Sequence, residues 1–268
     1  MKKVVFGVVL ALVPMAQALL VVGDAGSSSE YTVGTNGGAG WNYVGNLIGA
    51  APSSVTYVSN GWFLTANHVW NYDVVGKSLE TLQLGGYTYS INTSTYTQIL
   101  NTDATATDLC MFRATSFDEL PVGMAVLEST PGANDALRLI GNGYDNESNT
   151  GLTWGDGTTF QTGSGRNSST YTLEYSDTTC FLSVYDETTD GSAYGQTYDS
   201  GGGVFVDGQL AGIMLGVGTL GEEAVTLVAD MGTYGEQINA IAAIPEPAVL
   251  GLVAGASVTA LFVRRRFI

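Results

Sequence analysis

The strongest constraint on this chain is its pattern of short apolar and β-branched segments, each closed by a cluster of Gly, Asn, Asp or Ser. Segments of this kind are typical of antiparallel strands joined by tight turns. The pattern therefore predicts an all-β sandwich or barrel. The segments are Ser54–Ser59, Gly61–Thr65, Ser78–Leu84, Thr88–Ile91, Leu109–Arg113, Ala136–Ile140, Ser169–Tyr175, Gly203–Val206, Leu210–Leu215 and Ala224–Val228.

Three dipeptides between these segments are hairpin signals: Asn60-Gly61, Gly85-Gly86 and Asp207-Gly208. Such pairs accept the positive φ angles that two-residue β-hairpin turns require. Asp207-Gly208 is the clearest case, because apolar segments lie on both sides of it.

Little of the chain has a helical pattern. In Tyr234–Ala243 the apolar residues recur on one helical face, which predicts a short C-terminal helix. Ser116–Asp135 is poorly periodic, and we interpret it as the connector between two β halves. Thr93–Thr97 and Ser164–Thr170 are Ser/Thr-rich and are most simply loops or strand edges.

Charge and histidine content exclude several functions. The net charge is −16, and Leu19–Ala243 holds 24 acidic residues against four basic ones. This body lacks the clustered cations that nucleic-acid phosphates require, and it repels anionic polymers and membranes. His68 is the sole histidine, so zinc sites built on several histidines are excluded.

The N-terminus has the pattern of a secretory signal peptide. Met1-Lys2-Lys3 is basic, Val4–Val13 is apolar, and Ala16-Gln17-Ala18 supplies small residues for cleavage after Ala18. The alternative is an uncleaved anchor. Export is compatible with a disulfide between Cys110 and Cys180, although a buried free thiol at Cys110 is an open alternative.

The C-terminus combines Pro245-Glu246-Pro247, the apolar run Ala248–Val263 and Arg264–Arg266. A plain membrane anchor would explain the last two parts. All three together resemble the PEP-CTERM sorting signal of Gram-negative bacteria. The resemblance implies a membrane-spanning sorting helix that anchors the protein transiently in the inner membrane. It also implies processing by an exosortase-type enzyme and delivery to the cell surface or extracellular matrix.

Three segments carry candidate chemistry. Gly61–Val69 is an apolar strand that leads to His68, Thr107–Arg113 places Asp108 at a strand start, and Tyr198–Phe205 sets Ser200 before three glycines. Each has a purely structural alternative: a buried histidine, a strand-end cap and a flexible turn. Together they supply a nucleophile, a base and a carboxylate that orients the base, in the order His, Asp, Ser.

Thr65-Ala66-Asn67-His68, Thr107-Asp108-Leu109 and Tyr198-Asp199-Ser200-Gly201-Gly202-Gly203 resemble the catalytic motifs of the trypsin/chymotrypsin family, over roughly Gly40–Ala243. The resemblance implies two six-stranded antiparallel barrels with the site in the cleft between them, and no metal or organic cofactor. It implies that Ser200 attacks the carbonyl, His68 transfers the proton and Asp108 orients His68. It also implies that the backbone N–H groups of Tyr198 and Ser200 form the oxyanion hole.

The chain departs from the family pattern at several positions. Tyr198 stands where the family has glycine, Gly203 replaces a proline, and Val69 replaces a cysteine. Asp199 is the supporting acid that pairs with a free N-terminus in the family. Either trimming exposes Val21 for that role, or Asp199 has another partner and no zymogen step exists; we favour the second.

The resemblance also locates the specificity pocket, with Tyr194 at its floor and Leu215–Gly218 along its wall. No acid falls at these positions, so a preference for Lys or Arg is not supported.

The predicted organisation is a signal peptide (1–18), an N-terminal β-barrel (19–125), a C-terminal β-barrel with its helix (126–243) and a sorting signal (244–268). The predicted function is a secreted or surface-sorted serine endopeptidase acting on proteins or peptides. The alternative is a protease-like surface or matrix binding protein that is catalytically weak or inactive.

Overall fold

The computed structural model describes residues 20–21, 40–48, 53–71, 81–116, 118–133, 135–141, 153–159, 173–175, 177–188, 192–196, 198–220 and 223–243. The predicted signal peptide and sorting signal lie outside these residues. No helix within the described ranges is both long and apolar enough to cross a membrane.

Fifteen strands and two helices make up the described fold, together with a single 3₁₀ turn at Trp41–Tyr43. The strands are β1 (Leu20–Val21), β2 (Val44–Leu47), β3 (Ser54–Ser59), β4 (Trp62–Ala66), β5 (Thr81–Leu84), β6 (Tyr87–Leu100), β7 (Ala106–Ala114), β8 (Ala136–Gly141), β9 (Thr153–Thr159), β10 (Leu173–Tyr175), β11 (Thr178–Val184), β12 (Ala193–Tyr194), β13 (Gly203–Val206), β14 (Gln209–Leu220) and β15 (Glu223–Asp230). The helices are α1 (Asn67–Val69) and α2 (Met231–Ala242).

The first half is a closed six-stranded barrel in the order β2-β3-β4-β7-β6-β5. Its pairings are antiparallel, as the hairpin signals predicted. The aromatic side chains of Phe63 and Phe112 stack inside it with ring centroids 6.0 Å apart. Both rings are fully buried, so burial of apolar area at this barrel's centre is a main source of its stability.

The second half differs in detail from the predicted six-stranded barrel. It is a seven-stranded sheet in the order β10-β11-β15-β14-β13-β8-β9, with an additional pairing between β11 and β9. That pairing joins Ser183 to Thr159 and Val184 to Thr158, so six of the seven strands form a ring. The short β10 is the extra strand, because it pairs with β11 beside the ring. The outlying strand β1 pairs with β12.

All three predicted hairpin turns are confirmed. Both residues of Asn60-Gly61, Gly85-Gly86 and Asp207-Gly208 have positive φ angles, from 45° to 85°. This conformation matches the right-handed twist of the strands that such turns connect.

Some strands were missed or misjudged from sequence. Thr93–Thr97 is not a loop, because it lies within β6, where the pairing with β7 is irregular. Strands β1, β2, β9, β11 and β12 are not among the predicted segments. Ser164–Thr170 lies outside the described residues.

The predicted connector has no regular strand in its described residues (116, 118–133 and 135), yet it is hydrogen-bonded to both halves. Met124 N–H donates to the Val58 carbonyl of the first barrel at 2.9 Å. Leu127 N–H donates to the Leu210 carbonyl of β14 at 2.8 Å, and Val126 forms a parallel bridge with Leu210. The main hydrophobic cluster is likewise shared, because it joins first-barrel residues to Phe205 and Ile213 of the second half.

The C-terminal helix is confirmed but begins earlier than its apolar pattern indicated. The Asp230 carboxylate accepts the N–H of Gly232 at 2.9 Å and caps the first turn. Ile238 is fully buried and fixes the helix against the core. Cys110 and Cys180 are both buried free thiols, so the structure does not contain the disulfide considered from sequence.

Candidate active site

His68 is presented at the end of the apolar strand β4. The strand ends at Ala66, and the single turn α1 places His68 at its centre. The His68 imidazole Nδ1 lies 2.7 Å from Asp108 Oδ2, and His68 N–H donates to Asp108 Oδ1 at 2.8 Å. Both carboxylate oxygens of Asp108 therefore hold the same residue, which fixes the ring in one orientation.

The two partners differ sharply in exposure. The His68 side chain is 46% exposed, whereas that of Asp108 is 8% exposed. A buried carboxylate next to a half-exposed imidazole can orient the ring and stabilise its protonated form, while the outer ring edge stays open to a reactant.

A contact that sequence analysis did not identify supports α1. Tyr96 Oη donates to Asn67 Oδ1 at 2.8 Å, directly before His68. The Tyr96 ring also stacks on Trp70, just after α1, at 5.0 Å. The long strand β6 thus holds both ends of the turn that carries His68.

Cys110, two residues after Asp108, is a second potential nucleophile close to the His68–Asp108 pair. Burial raises the pKa of the Cys110 thiol well above its ordinary value, and the nearby Asp108 carboxylate adds to the effect. The thiolate is the reactive form of cysteine. Cys110 is therefore an inert core residue.

Ser200 lies in a tightly folded loop against the strands that lead to His68. Its carbonyl accepts the N–H of Ser54 at 3.1 Å. Gly201 has φ 92°, and a Cβ there would overlap the Ser54 carbonyl oxygen and Thr65 Oγ1. Glycine is required at this position because the loop that carries Ser200 approaches β4 too closely to leave room for a side chain.

The Ser200 hydroxyl donates to the Leu215 carbonyl at 3.2 Å. This is the hydrogen bond that the Ser200 hydroxyl makes within the described residues. His68 is not its partner. The structure therefore shows the His68–Asp108 bond but no hydrogen bond between Ser200 and His68. Catalytic hydrogen bonds are commonly loose before substrate binds.

Tyr198 adopts φ 78°, a left-handed conformation that is rare for a residue with a side chain. The backbone at Tyr198 thus has the conformation that glycine adopts freely, at a cost on the order of 1–2 kcal/mol for tyrosine. The Ser200 N–H has no hydrogen-bond acceptor among the residues that the structure describes.

Asp199 is buried beneath this loop. Its carboxylate accepts the N–H of Gln196 at 2.8 Å and packs directly against the Cα of Gly141. Its carbonyl accepts the N–H of Gly202 at 2.9 Å. These bonds give Asp199 a structural role in shaping the loop before Ser200.

Gly195, next to Tyr194 at the expected pocket floor, is closely packed by its neighbours. Gly195 N–H donates to Thr226 Oγ1 at 2.9 Å, and Thr226 is buried. A Cβ on Gly195 would lie 3.0 Å from Thr226 Cγ2 and 3.3 Å from Val217 Cγ1. Two methyl groups therefore cover Gly195 on the side that faces the expected pocket wall, and sequence analysis did not identify Thr226.

This arrangement defines a class of protein: an antiparallel β-barrel protein with an oriented His–Asp pair and a serine in a glycine-supported loop. The sequence matches the Trypsin family over residues 38–231. The chain belongs to the trypsin family of serine proteases, and its fold is chymotrypsin-like.

Solved structures support the fold. A Glu endopeptidase matches with TM-score 0.54 and 15% identity, over 84% of this chain and 100% of its own. The inactive form of Rv3671c protease matches with TM-score 0.53 and 13% identity, over 84% and 100%. The active form of Rv3671c protease from M. tuberculosis matches with TM-score 0.50 and 14% identity, over 78% and 85%. Comparison with curated proteins returns no significant match.

Proposed function

We propose that this protein is an active serine endopeptidase that uses Ser200 as nucleophile, His68 as base and Asp108 as the orienting acid. One observation carries the proposal: His68 Nδ1 lies 2.7 Å from the buried Asp108 carboxylate, and the ring is nearly half exposed. Membership of the trypsin family supports the same assignment.

In the proposed mechanism Ser200 Oγ first rotates from the Leu215 carbonyl towards His68 Nε2. Ser200 then attacks the peptide carbonyl while His68 accepts its proton, and the Asp108 carboxylate stabilises the resulting imidazolium. The N–H groups of Ser200 and Tyr198 stabilise the oxyanion. His68 protonates the leaving amine, and water hydrolyses the acyl-enzyme by the reverse proton transfers.

The proposed substrates carry a small side chain at the residue whose carbonyl is attacked. The Thr226 and Val217 methyl groups lie against Gly195, next to Tyr194 at the expected pocket floor, and this close packing supports the proposal. The Glu endopeptidase shares only the fold with this chain, so its name does not indicate this chain's preference.

The competing function is a protease-like binding protein with a weak or inactive site, and the observation that favours it is the tyrosine at position 198, where the family has glycine. A fluorophosphonate probe separates the two without knowledge of the substrate. The full-length protein should be labelled at Ser200, and Ser200→Ala should abolish labelling and hydrolysis while the circular dichroism spectrum stays unchanged. Absence of labelling in the folded wild type would support the binding protein.

The proposed location is the cell surface or extracellular matrix, after export and transient anchoring in the inner membrane. The signal pattern of residues 1–18 and the three-part C-terminus from Pro245 support this proposal. An exosortase-type enzyme is the proposed processing partner.

A further inference from the structure

Asp108 lies at a break in the β-ladder of the first barrel. Strands β6 and β7 pair at Gln98–Cys110 and at Leu100–Ala106, so three residues of β7 face the single residue Ile99 between these pairs. Such an irregularity leaves backbone groups without ladder partners. The N–H of Asp108 donates to the Thr178 hydroxyl of the second half, at 2.6 Å.

Thr178 is a fixed acceptor. It is fully buried at the start of β11, and its two neighbours in sequence are both held by other elements. Asn101 Nδ2 of the first half donates to the Asp177 carbonyl at 2.6 Å. Thr179 N–H donates to the Tyr234 hydroxyl at 2.7 Å.

These bonds form a closed network, because Tyr234 Oη also donates to Asn101 Oδ1 at 2.8 Å. We call this set the inter-barrel seam; its members are Asn101, Asp108, Asp177, Thr178, Thr179 and Tyr234. The seam connects the β6–β7 turn, the start of β11 and helix α2. Fully satisfied polar networks of this kind are rigid.

We infer that Thr178 is a positioning residue: from the second half, its hydroxyl sets the backbone at Asp108 and thereby the orientation of His68. The inference rests on the proposed function only where it concerns rate. Asp108 Oδ1 and Oδ2 both bind His68. A displacement of the Asp108 backbone therefore alters both bonds to the base together.

His68 is the sole histidine of the chain, which makes a direct structural test possible. In full-length protein labelled with ¹⁵N-histidine, a single imidazole Nδ1–H signal reports the bond to Asp108. Thr178→Val removes the acceptor at nearly constant volume, and Thr178→Ser retains it. Thr178→Val should move the signal upfield and speed its exchange with water, whereas Thr178→Ser should leave it in place.

Ser183→Ala is the matched control, because Ser183 is a buried hydroxyl of the same strand that has no hydrogen-bond partner among the described residues. It should leave the signal unchanged. An unaltered signal in folded Thr178→Val would overturn the inference. If Thr178→Val does not fold, Thr178→Ala removes the same acceptor with a smaller side chain, and an unaltered signal there would also overturn the inference.

Kinetics give the second readout. Thr178→Val should lower kcat about tenfold with KM within about twofold, since a misoriented base slows the chemical step rather than binding. Thr178→Ser should restore kcat. If the wild type is not labelled by the fluorophosphonate, the proposed function fails, but the imidazole signal still decides whether Thr178 positions His68.

Discussion

Thr226→Ser is expected to broaden the specificity of the protease towards larger side chains. The substitution removes the Cγ2 methyl that lies over Gly195 but keeps the hydroxyl that accepts the Gly195 N–H. The space gained is about one methylene. Transfer of a methylene group from water to an apolar site is worth ~0.8 kcal/mol, and pockets discriminate between substrates that differ by one methylene by ~1–3 kcal/mol. We therefore expect the ratio of kcat/KM for a valine over an alanine substrate to rise about tenfold, or ~1.4 kcal/mol.

Thr226→Val is the matched control, because it keeps the shape and removes the hydroxyl. The same ratio should change by less than about twofold, while the loss of a buried acceptor should lower stability by ~1–3 kcal/mol. The assay is a series of peptide p-nitroanilides that differ only at the attacked residue, with thermal unfolding of each variant. Equal changes of the ratio in both variants, or a wild type that prefers large residues, would refute the reasoning.

Three further predictions concern His68, Tyr198 and the C-terminal segment from Pro245. His68→Ala should remove the activity on peptide p-nitroanilides, because His68 is the sole histidine of the chain and so the sole imidazole available as base; a folded His68→Ala variant that keeps its activity would contradict this role. Tyr198→Gly should change kcat/KM on a good ester substrate by less than about tenfold, or ~1.4 kcal/mol, since Tyr198 already has a glycine-like φ of 78°. A hundredfold rise over the wild type in a side-by-side kinetic comparison would indicate that the natural protein is held nearly inactive. Truncation before Pro245 should release the protein into the medium, and fractionation that finds it still surface-bound would reveal another attachment.

Local signals predicted much of the fold. Asn60-Gly61, Gly85-Gly86 and Asp207-Gly208 fix their hairpins through φ angles that few other pairs adopt. Strand β9 escaped prediction because its sequence includes Gly155 and Gly157, which have low β propensity. It is a strand because β8 and β11 pair with it, and those tertiary contacts leave no local pattern.

The candidate site likewise contains residues that local sequence patterns reveal and a residue that only a tertiary contact reveals. His68, Asp108 and Ser200 could be named from sequence because each lies in a recognisable short segment. Thr178 could not, because its bond to Asp108 spans 70 positions in sequence. A threonine at a strand start has nothing in its neighbours that indicates such a partner.

The contacts of the connector determine whether an unbroken chain is needed to keep the two halves together. The connector is hydrogen-bonded to Val58 on one side and Leu210 on the other, and the halves share one apolar core. Val122, at its outer surface, is 87% exposed. We therefore expect a protein nicked at this exposed point to remain a two-chain species of native size in gel filtration, because hydrogen bonds and the shared apolar core still join the two halves.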